Sequence, residues 1–138
     1  MDLRDFINRC EEAGELKRIT AEVDWNLELS DISKLTEERK GPALLFENIK
    51  GYDSPVFTGA FATPSRLAMS MIMNPSNSLC DSAKEWMEKT IDELIPSKEV
   101  TDGPVLENIV TGDDVDMNIF PVPQFFPQDG GRYIGTAT

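Results

Sequence analysis

The chain has 138 residues, 40% of them hydrophobic, a formal net charge of −12 and no histidine. This length supports one compact domain with a hydrophobic core, and the ordinary composition predicts a folded chain. The negative charge argues against nucleic acid as a partner, because phosphate binding relies on a basic surface. The missing histidine excludes Ser/His and Cys/His nucleophile pairs and removes the commonest transition-metal ligand.

Neither a secretory signal nor a membrane span is predicted. The N-terminus carries acids within its first turns and has no apolar signal core. The longest nearly apolar stretch, residues 67–73, is interrupted by Ser70 and falls far short of the about 20 residues that a transmembrane helix needs. We therefore expect a cytoplasmic protein.

The sulfur-containing residues are assigned structural roles. Cys10 and Cys80 lack CxxC spacing, and Cys10 falls on an apolar helical face, which favours a buried, reduced thiol over a disulfide or a nucleophile. Met69, Met71 and Met73 could form an adaptable binding face, but their helical spacing favours core filling.

Two amphipathic helices and one strand are predicted before residue 42. The apolar stripes of the helices are Leu3, Phe6, Ile7 and Cys10 in the first, and Leu29, Ile32 and Leu35 in the second. Gly14 ends the first helix, and a short strand follows over residues 16–21. Asp24 is predicted to cap the second helix, which ends at Gly41.

Two strands and a third helix follow. Residues 43–46 form a continuous apolar run, typical of a buried central strand, whereas residues 55–58 predict a strand near an edge because they include Pro55. Thr63 and Pro64 are a hydroxyl cap and a first-turn proline. The third helix carries Leu67, Ala68, Met71 and Ile72, and Asn74 and Pro75 end it.

A fourth helix ends at Pro96, and the period of a helix disappears after it. Its apolar stripe is Leu79, Ala83, Trp86, Met87, Thr90, Ile91 and Leu94. Residues 96–104 are polar and predict a connector, residues 105–111 a strand, and residues 112–114 a turn. A last strand begins after Gly130 and Gly131, with Tyr133, Ile134, Thr136 and Thr138 as its β-forming residues.

This order of elements predicts an α+β fold with a small mixed sheet and about four helices, since it is not a regular βαβ repeat. The last strand has no partner in the sequence that follows Gly131. We therefore expect the chain to be the front part of a larger protein.

Three groups near the C-terminus resemble functional motifs. Asp113, Asp114 and Asp116 lack the glycine and closing glutamate of a calcium loop at the required spacing, so a solvated turn is favoured. No two of the prolines at positions 121, 123 and 127 stand three residues apart, so the PxxP motif of a proline-rich ligand is missing. The favoured interpretation is an extended segment that pins Phe125 and Phe126 into a core or interface.

The most chemically suggestive of the three is Asp129-Gly130-Gly131-Arg132-Tyr133. Adjacent glycines allow backbone N–H groups to approach an anion, and arginine offers a fork for phosphate or carboxylate. The same residues also form an ordinary tight turn, which is the favoured interpretation. No glycine-rich dinucleotide or P-loop fingerprint is present.

Three stretches together resemble the N-terminal region of the UbiD family of prenylated-FMN-dependent decarboxylases. They are DLRDFINRCEEAGELKRITAEVDWNLELSDI, GPALLFENIKGYDSPV and VTGDDVDMNIFPVPQFFPQDGGRYIGTAT, and they are colinear with the family. Residues 65–100 contribute no shared motif. The resemblance implies residues 1–100 as an N-terminal α+β domain and residues 101–138 as a connector and the first strand of a truncated flavin-binding domain.

The resemblance also implies a carboxy-lyase that reversibly decarboxylates an aromatic or α,β-unsaturated acid. Its cofactors would be prenylated FMN, a divalent metal (Mn²⁺ or Mg²⁺) and K⁺, with the flavin serving as the electron sink. The family's catalytic and metal-binding residues lie beyond Thr138, so no catalytic or metal residue is assigned here, and none of these cofactors is expected on the segment alone. Thr136 is the single cofactor-binding candidate, and Arg132 is not equated with the catalytic arginine.

The expected partners are the remainder of the enzyme and further copies of it in a homo-oligomer, with no nucleic acid and no membrane span. In this hypothesis the segment is a scaffold and inactive alone. An alternative is a non-catalytic accessory or regulatory subunit of such a carboxylase complex. A third hypothesis is an acidic α+β binding module unrelated to these enzymes.

Overall fold

The computed structural model describes residues 1–76, 78–92 and 96–134. Its α-helices and strands are α1 Leu3–Glu12, β1 Leu16–Ile19, α2 Glu28–Glu38, β2 Ala43–Phe46, β3 Val56–Thr58, α3 Pro64–Ser70 and α4 Leu79–Asp92. The strands form one sheet in the order β1-β2-β3, in which β2 is parallel to β1 and antiparallel to β3. The predicted α+β class with a small mixed sheet and about four helices is confirmed.

Helix α1 begins with a reciprocal side-chain cap and ends before Gly14, as its sequence predicts for that end. Asp2 and Asp5 form a reciprocal cap, in which the Asp5 N–H donates to Asp2 Oδ1 at 2.8 Å and the Asp2 N–H donates to Asp5 Oδ2 at 3.1 Å. Gly14 follows the helix with φ +72°, a left-handed conformation that glycine adopts without strain. Phe6 and Cys10 of the predicted apolar stripe are buried, whereas Leu3 of the same stripe is exposed, because it lies in the first turn at the end of the helix.

Strand β2 is the centre of the fold. All four of its residues are buried, as predicted from its unbroken apolar run, and it pairs on both sides. One core cluster consists of Val23, Leu29, Leu44, Phe46 and Ile49. A second cluster consists of Phe6, Cys10 and Met69. Fully burying a large apolar side chain stabilises a fold by about 1.5–3 kcal/mol, so both clusters contribute to the stability of the N-terminal half. Strand β3 lies at the edge of the sheet, also as predicted.

The predicted cap of α2 by Asp24 is wrong. The helix begins at Glu28, the preceding residue Leu27 has φ +70°, and no side chain caps it. Asp24 instead accepts a hydrogen bond from the Asn26 N–H at 2.9 Å, in a turn that precedes the helix. The cause is tertiary, because the backbone between Asp24 and Glu28 pairs with Gln124 far along the chain.

Two other elements end earlier than predicted. Strand β1 ends at Ile19 and not at residue 21. Helix α3 starts as expected, with Thr63 Oγ1 accepting from the Arg66 N–H at 3.3 Å, but it ends at Ser70. Ile72 has φ +58°, outside the helical region, so the chain has already turned there.

The methionines and helix α4 meet their predictions in part. Met69 and Met73 are buried and fill the core, whereas Met71 is exposed. Helix α4 forms over the predicted stretch, yet Trp86 and Ile91 on its apolar stripe are exposed. Leu94, also assigned to that stripe, lies outside the described residues. Within the described part of the chain, no helix combines the length and apolarity needed to cross a bilayer.

The predicted strand over residues 105–111 is wrong. A 3₁₀ turn spans Pro104–Leu106, and residues 107–111 form neither helix nor strand. β-forming residue types make a strand only where a neighbouring strand pairs with them, and residues 105–111 are unpaired within the described part of the chain. Further 3₁₀ turns span Gly112–Asp114, at the predicted turn, and Met117–Ile119. Tyr133 and Ile134 are in neither helix nor strand, and the Thr136 and Thr138 positions of the predicted last strand lie outside the described residues.

Candidate functional site

Residues 96–134, called here the C-terminal segment, contact the rest of the molecule through the backbone of Gln124. Its N–H donates to the Trp25 carbonyl at 3.1 Å, and its carbonyl accepts from the Leu27 N–H at 3.2 Å. The same carbonyl accepts from the Ser30 hydroxyl at 2.6 Å, and that hydroxyl is part-buried. These bonds attach the extended segment to the loop before α2 and to the first turn of that helix.

A second attachment is the cluster of Trp25, Tyr52, Asn118 and Arg132, called here the Arg132 cluster. The Arg132 guanidinium carbon lies 4.3 Å from the centroid of the Trp25 ring, a cation–π distance. Its Nη1 donates to the Tyr52 hydroxyl oxygen at 2.6 Å, and its Nη2 donates to Asn118 Oδ1 at 3.3 Å. The guanidinium is therefore directed at protein groups on three sides.

The Asp129-Gly130-Gly131 stretch forms a turn, which was the favoured interpretation. Asp129 Oδ2 accepts from the Phe126 N–H at 3.1 Å, and the Asp129 N–H donates to the Phe126 carbonyl at 3.1 Å. Gly131 has φ +145°, a conformation that disfavours residues with a side chain. The turn places Arg132 beside Trp25, so the arginine of this motif makes a contact within the protein.

The two phenylalanines after Pro123 border a groove. Phe125 and Phe126 face α2 and β3 across a space of about 520 Å³, and both rings are exposed, so they are not pinned into a core. Lys34 Nζ lies 5.9 Å from the centroid of the Phe126 ring. The hydroxyls of Ser30 and Ser33, which line the groove, already donate to main-chain carbonyls within the protein. Asp31, Lys34 and Glu37 also line the groove, so it offers a ligand aromatic faces together with charged side chains.

The acidic residues near position 114 form a solvated turn, as favoured from the sequence. Asp116 accepts from the N–H and from Nδ2 of Asn118, each at 2.8 Å. The backbone bond first, and the side-chain bond second, lower the pKa of the Asp116 carboxyl. Across residues 1–76, 78–92 and 96–134, no three His, Cys, Asp or Glu side chains converge as metal ligands.

A buried arginine was missed in the sequence. The Arg66 side chain is fully buried, its Nη1 contacts Glu15 Oε2 at 2.6 Å, and its Nε donates to the Gly59 carbonyl at 2.9 Å. A signal was available, since the buried Met69 follows Arg66 by three residues and so lies on the same face of α3. The arginine joins α3 to the ends of α1 and β3 and serves the packing of the core.

Cys10 behaves as a structural thiol. It is fully buried and not in a disulfide, as the apolar helical face predicted, whereas Cys80 is free and exposed. Burial raises the pKa of the Cys10 thiol, and the nearby Arg66 opposes this only in part. A protonated, enclosed thiol is a poor nucleophile.

Thr136, the cofactor-binding candidate, lies outside the described residues. The stretch that leads toward it has a notable surface, because many of its apolar side chains are exposed. They are Val100, Val105, Leu106, Ile109, Val110, Val115, Met117, Ile119 and Phe120. Clusters of exposed apolar side chains mark surfaces that pack against further protein.

Two family models match the chain. Residues 7–86 match the 3-octaprenyl-4-hydroxybenzoate carboxy-lyase N-terminal domain, and residues 98–138 match the Rift-related domain of the same carboxy-lyase family.

Solved structures of decarboxylases share the fold. The vanillic acid decarboxylase of Sedimentibacter hydroxybenzoicus is 28% identical over 96% of this chain, with TM-scores of 0.87 for the open form and 0.88 for the closed form. The UbiD-class enzyme HmfF from Pelotomaculum thermopropionicum, an evolved dimeric form in complex with prFMN, is 29% identical over 96% of this chain, with a TM-score of 0.80. A 3,4-dihydroxybenzoic acid decarboxylase from Enterobacter cloacae shares the fold at 24% identity over 95% of this chain, with a TM-score of 0.70.

This chain accounts for 29%, 30% and 29% of the lengths of these three relatives, less than a third of each. The family-model match to the N-terminal domain alone, residues 7–86, covers more than half of the chain. The predicted resemblance is therefore confirmed, and the chain belongs to the UbiD family, whose N-terminal region it represents.

Proposed function

We propose that this chain is the N-terminal part of a carboxy-lyase that reversibly decarboxylates an aromatic or α,β-unsaturated carboxylic acid. The observation that carries the proposal is the colinear match of both family models, supported by similarity to relatives named as decarboxylases of vanillic and 3,4-dihydroxybenzoic acid. In this proposal residues 1–100 are the N-terminal domain, and residues 101–138 are a connector and the start of the flavin-binding domain. The protein would be cytoplasmic and homo-oligomeric.

The proposed cofactors of the parent enzyme are prenylated FMN, a divalent metal (Mn²⁺ or Mg²⁺) and K⁺. One relative is an enzyme in complex with prFMN. The described residues do not fit such a group by themselves, since no metal-binding trio converges and the Arg132 guanidinium is held by protein groups. We propose that the segment supports the fold of the parent enzyme and that Thr136 lies near the flavin.

The exposed apolar side chains of residues 100–120 support a scaffold role. A surface of this kind is costly in water and gains stability when further protein covers it. We propose that the remainder of the enzyme covers it.

The test compares the 138-residue chain with a longer polypeptide that includes the residues encoded after Thr138. We expect the chain alone to bind no flavin and to release no CO₂ from vanillic or 3,4-dihydroxybenzoic acid, and the longer protein, supplied with prenylated FMN, to release CO₂ from a member of an aromatic and α,β-unsaturated acid panel. Stoichiometric flavin on the short chain would contradict the scaffold role. A longer protein that neither binds flavin nor releases CO₂ would contradict the carboxy-lyase.

A further inference from the structure

The Arg132 cluster has a role beyond local packing. We propose that Arg132 is a positioning residue that fastens residues 118–132 to the N-terminal region and so fixes how this part of the chain lies against that region. The fastening itself stands on the described contacts. Its consequence for a cofactor rests on the proposed function.

The groups that hold Arg132 are themselves anchored in the core. Trp25 lies in the loop between β1 and α2, next to the buried Val23, and packs against the core cluster that contains Val23 and Ile49. Tyr52 lies between β2 and β3, and its N–H donates to the carbonyl of Ile49, a residue only 1% exposed, at 2.9 Å. Arg132 is therefore tied to the two loops that follow the parallel strands β1 and β2, and these loops pair with each other through Val23 and Ile49.

The cluster also closes a loop of the C-terminal segment on itself. Asn118 and Arg132 are bonded to each other at 3.3 Å, while Gln124, between them in sequence, is bonded to Trp25 and Leu27. A segment held at its middle and at its two joined ends has little freedom to rotate on the surface. This explains how a stretch without helix or strand pairing takes one position.

The chemistry of the contact favours arginine. A planar guanidinium stacks on the indole face and still presents N–H groups at its edge to Tyr52 and Asn118. A lysine ammonium keeps the charge but cannot make the stack and both in-plane bonds at once. A methionine of similar length loses all of these contacts.

The experiment measures amide hydrogen exchange by NMR in the 138-residue chain. Arg132→Met removes the cation–π contact and the hydrogen bonds of the guanidinium, so local opening of this contact costs less free energy. Exchange is therefore expected to rise about tenfold at the Leu27 and Gln124 amides, which pair across the contact. The Ala43 and Glu47 amides, bonded within the N-terminal region, are expected to keep their rates.

Matched variants separate fastening from general stability. Arg132→Lys is expected to give an intermediate rise, Tyr52→Phe a smaller one, and Arg4→Met, at an exposed arginine of α1, none. In a Trp86→Phe background Trp25 is the single tryptophan, and Arg132→Met is expected to shift its fluorescence to longer wavelength. Unchanged exchange at Gln124, or an equal rise at Ala43 and Glu47, would overturn the inference.

A second measurement separates this inference from the proposed function. In the longer polypeptide, Arg132→Met is expected to weaken FMN binding about tenfold relative to the unsubstituted protein, if the contact contributes as much there as it does to local exchange. If exchange responds as expected and the unsubstituted longer protein binds no flavin, the fastening stands and the proposed function fails. If the unsubstituted longer protein binds flavin and the exchange does not respond to Arg132→Met, the proposed function stands and the fastening by Arg132 fails.

Discussion

Residues 1–76 and 96–134 reach their positions by different means. The first region contains the whole sheet and every buried hydrophobic residue of the described chain, from Phe6 to Met73. The second has no α-helix or paired strand among its described residues, and within it only Pro121 is buried. One region is stabilised by its own core, and the other is held by a few polar and cation–π contacts with the first.

This difference indicates where stability and position come from. Burial of apolar area is non-directional and contributes most of the free energy of folding, so the N-terminal region is expected to fold by itself. A few hydrogen bonds of about 1 kcal/mol each select one arrangement of the second region but add little to its stability.

The largest effect is expected from a pair of matched phenylalanines. Phe46→Ala, at a fully buried position of β2, should lower the free energy of unfolding by about 3–5 kcal/mol, because it removes buried surface and leaves a cavity. Phe120→Ala, at a position 47% exposed, should change it by less than about 1 kcal/mol. Urea unfolding followed by circular dichroism measures both. Equal losses for the two variants would mean that the second region shares the core.

The buried ion pair should give the next largest effect. Arg66→Met is expected to cost about 3 kcal/mol, because Glu15 loses its cation and the Gly59 carbonyl loses a donor. The matched control is Arg18→Met, whose arginine pairs with Glu11 and Glu47 at the surface and should cost less than about 1 kcal/mol.

Thermal unfolding compares these two variants with the unsubstituted chain. A loss with Arg18→Met as large as that with Arg66→Met would show that burial does not decide the strength of these pairs.

A smaller effect separates the two regions through matched serines. Ser30 and Ser33 are both 3% exposed, but Ser30 donates to Gln124 of the second region and Ser33 to Leu29 of its own helix. Ser30→Ala should speed exchange of the Gln124 amide about fivefold, equivalent to about 1 kcal/mol, with little change in global unfolding. Ser33→Ala should leave the Gln124 amide unchanged. An effect of both variants at Gln124 would argue against separate attachment of the second region.

The smallest effect concerns pH. The Asn26 N–H, and after it the Lys50 ammonium at 3.0 Å, hold the pKa of the Asp24 carboxyl below its ordinary value of 3.8. A lowered pKa means that this stabilisation is present above the ordinary value and is lost as the pH falls through the folded-state pKa. Exchange at Leu27, corrected for the intrinsic pH dependence of amide exchange, should therefore rise only at a pH below 3.8.

An NMR titration of the Asp24 carboxyl carbon measures this midpoint directly. In Asp24→Asn the acid-dependent step at Leu27 should be absent, because the amide does not titrate. A midpoint at or above 3.8 in the unsubstituted chain would contradict the assignment of the hydrogen bonds.

Most of the N-terminal fold could be predicted from local signals. Thr63-Pro64 starts α3, Gly14 follows α1, and the unbroken apolar run Ala43–Phe46 is the central strand. These predictions succeeded because capping, backbone freedom and hydrophobic run length act over a few neighbouring residues.

The failed predictions share a cause. Asp24 was assigned to a helix that starts later, and residues 105–111 were assigned to a strand that does not form. In each case the residue types favoured the predicted local structure, but they gave no information about which distant residues pair with it. The loop after Asp24 pairs with Gln124, and residues 105–111 pair with no strand of the described part of the chain.

The amino-acid sequence alone determined the α+β class, the positions of the helices and central strand, the reduced buried Cys10 and the family to which the chain belongs. The tertiary structure decided which groups meet Arg132, why Arg66 is buried, and where the C-terminal segment rests. The physical reason is that helix and strand signals are local, whereas the partners of a guanidinium depend on contacts between residues far apart in the chain, as Trp25, Tyr52 and Arg132 are.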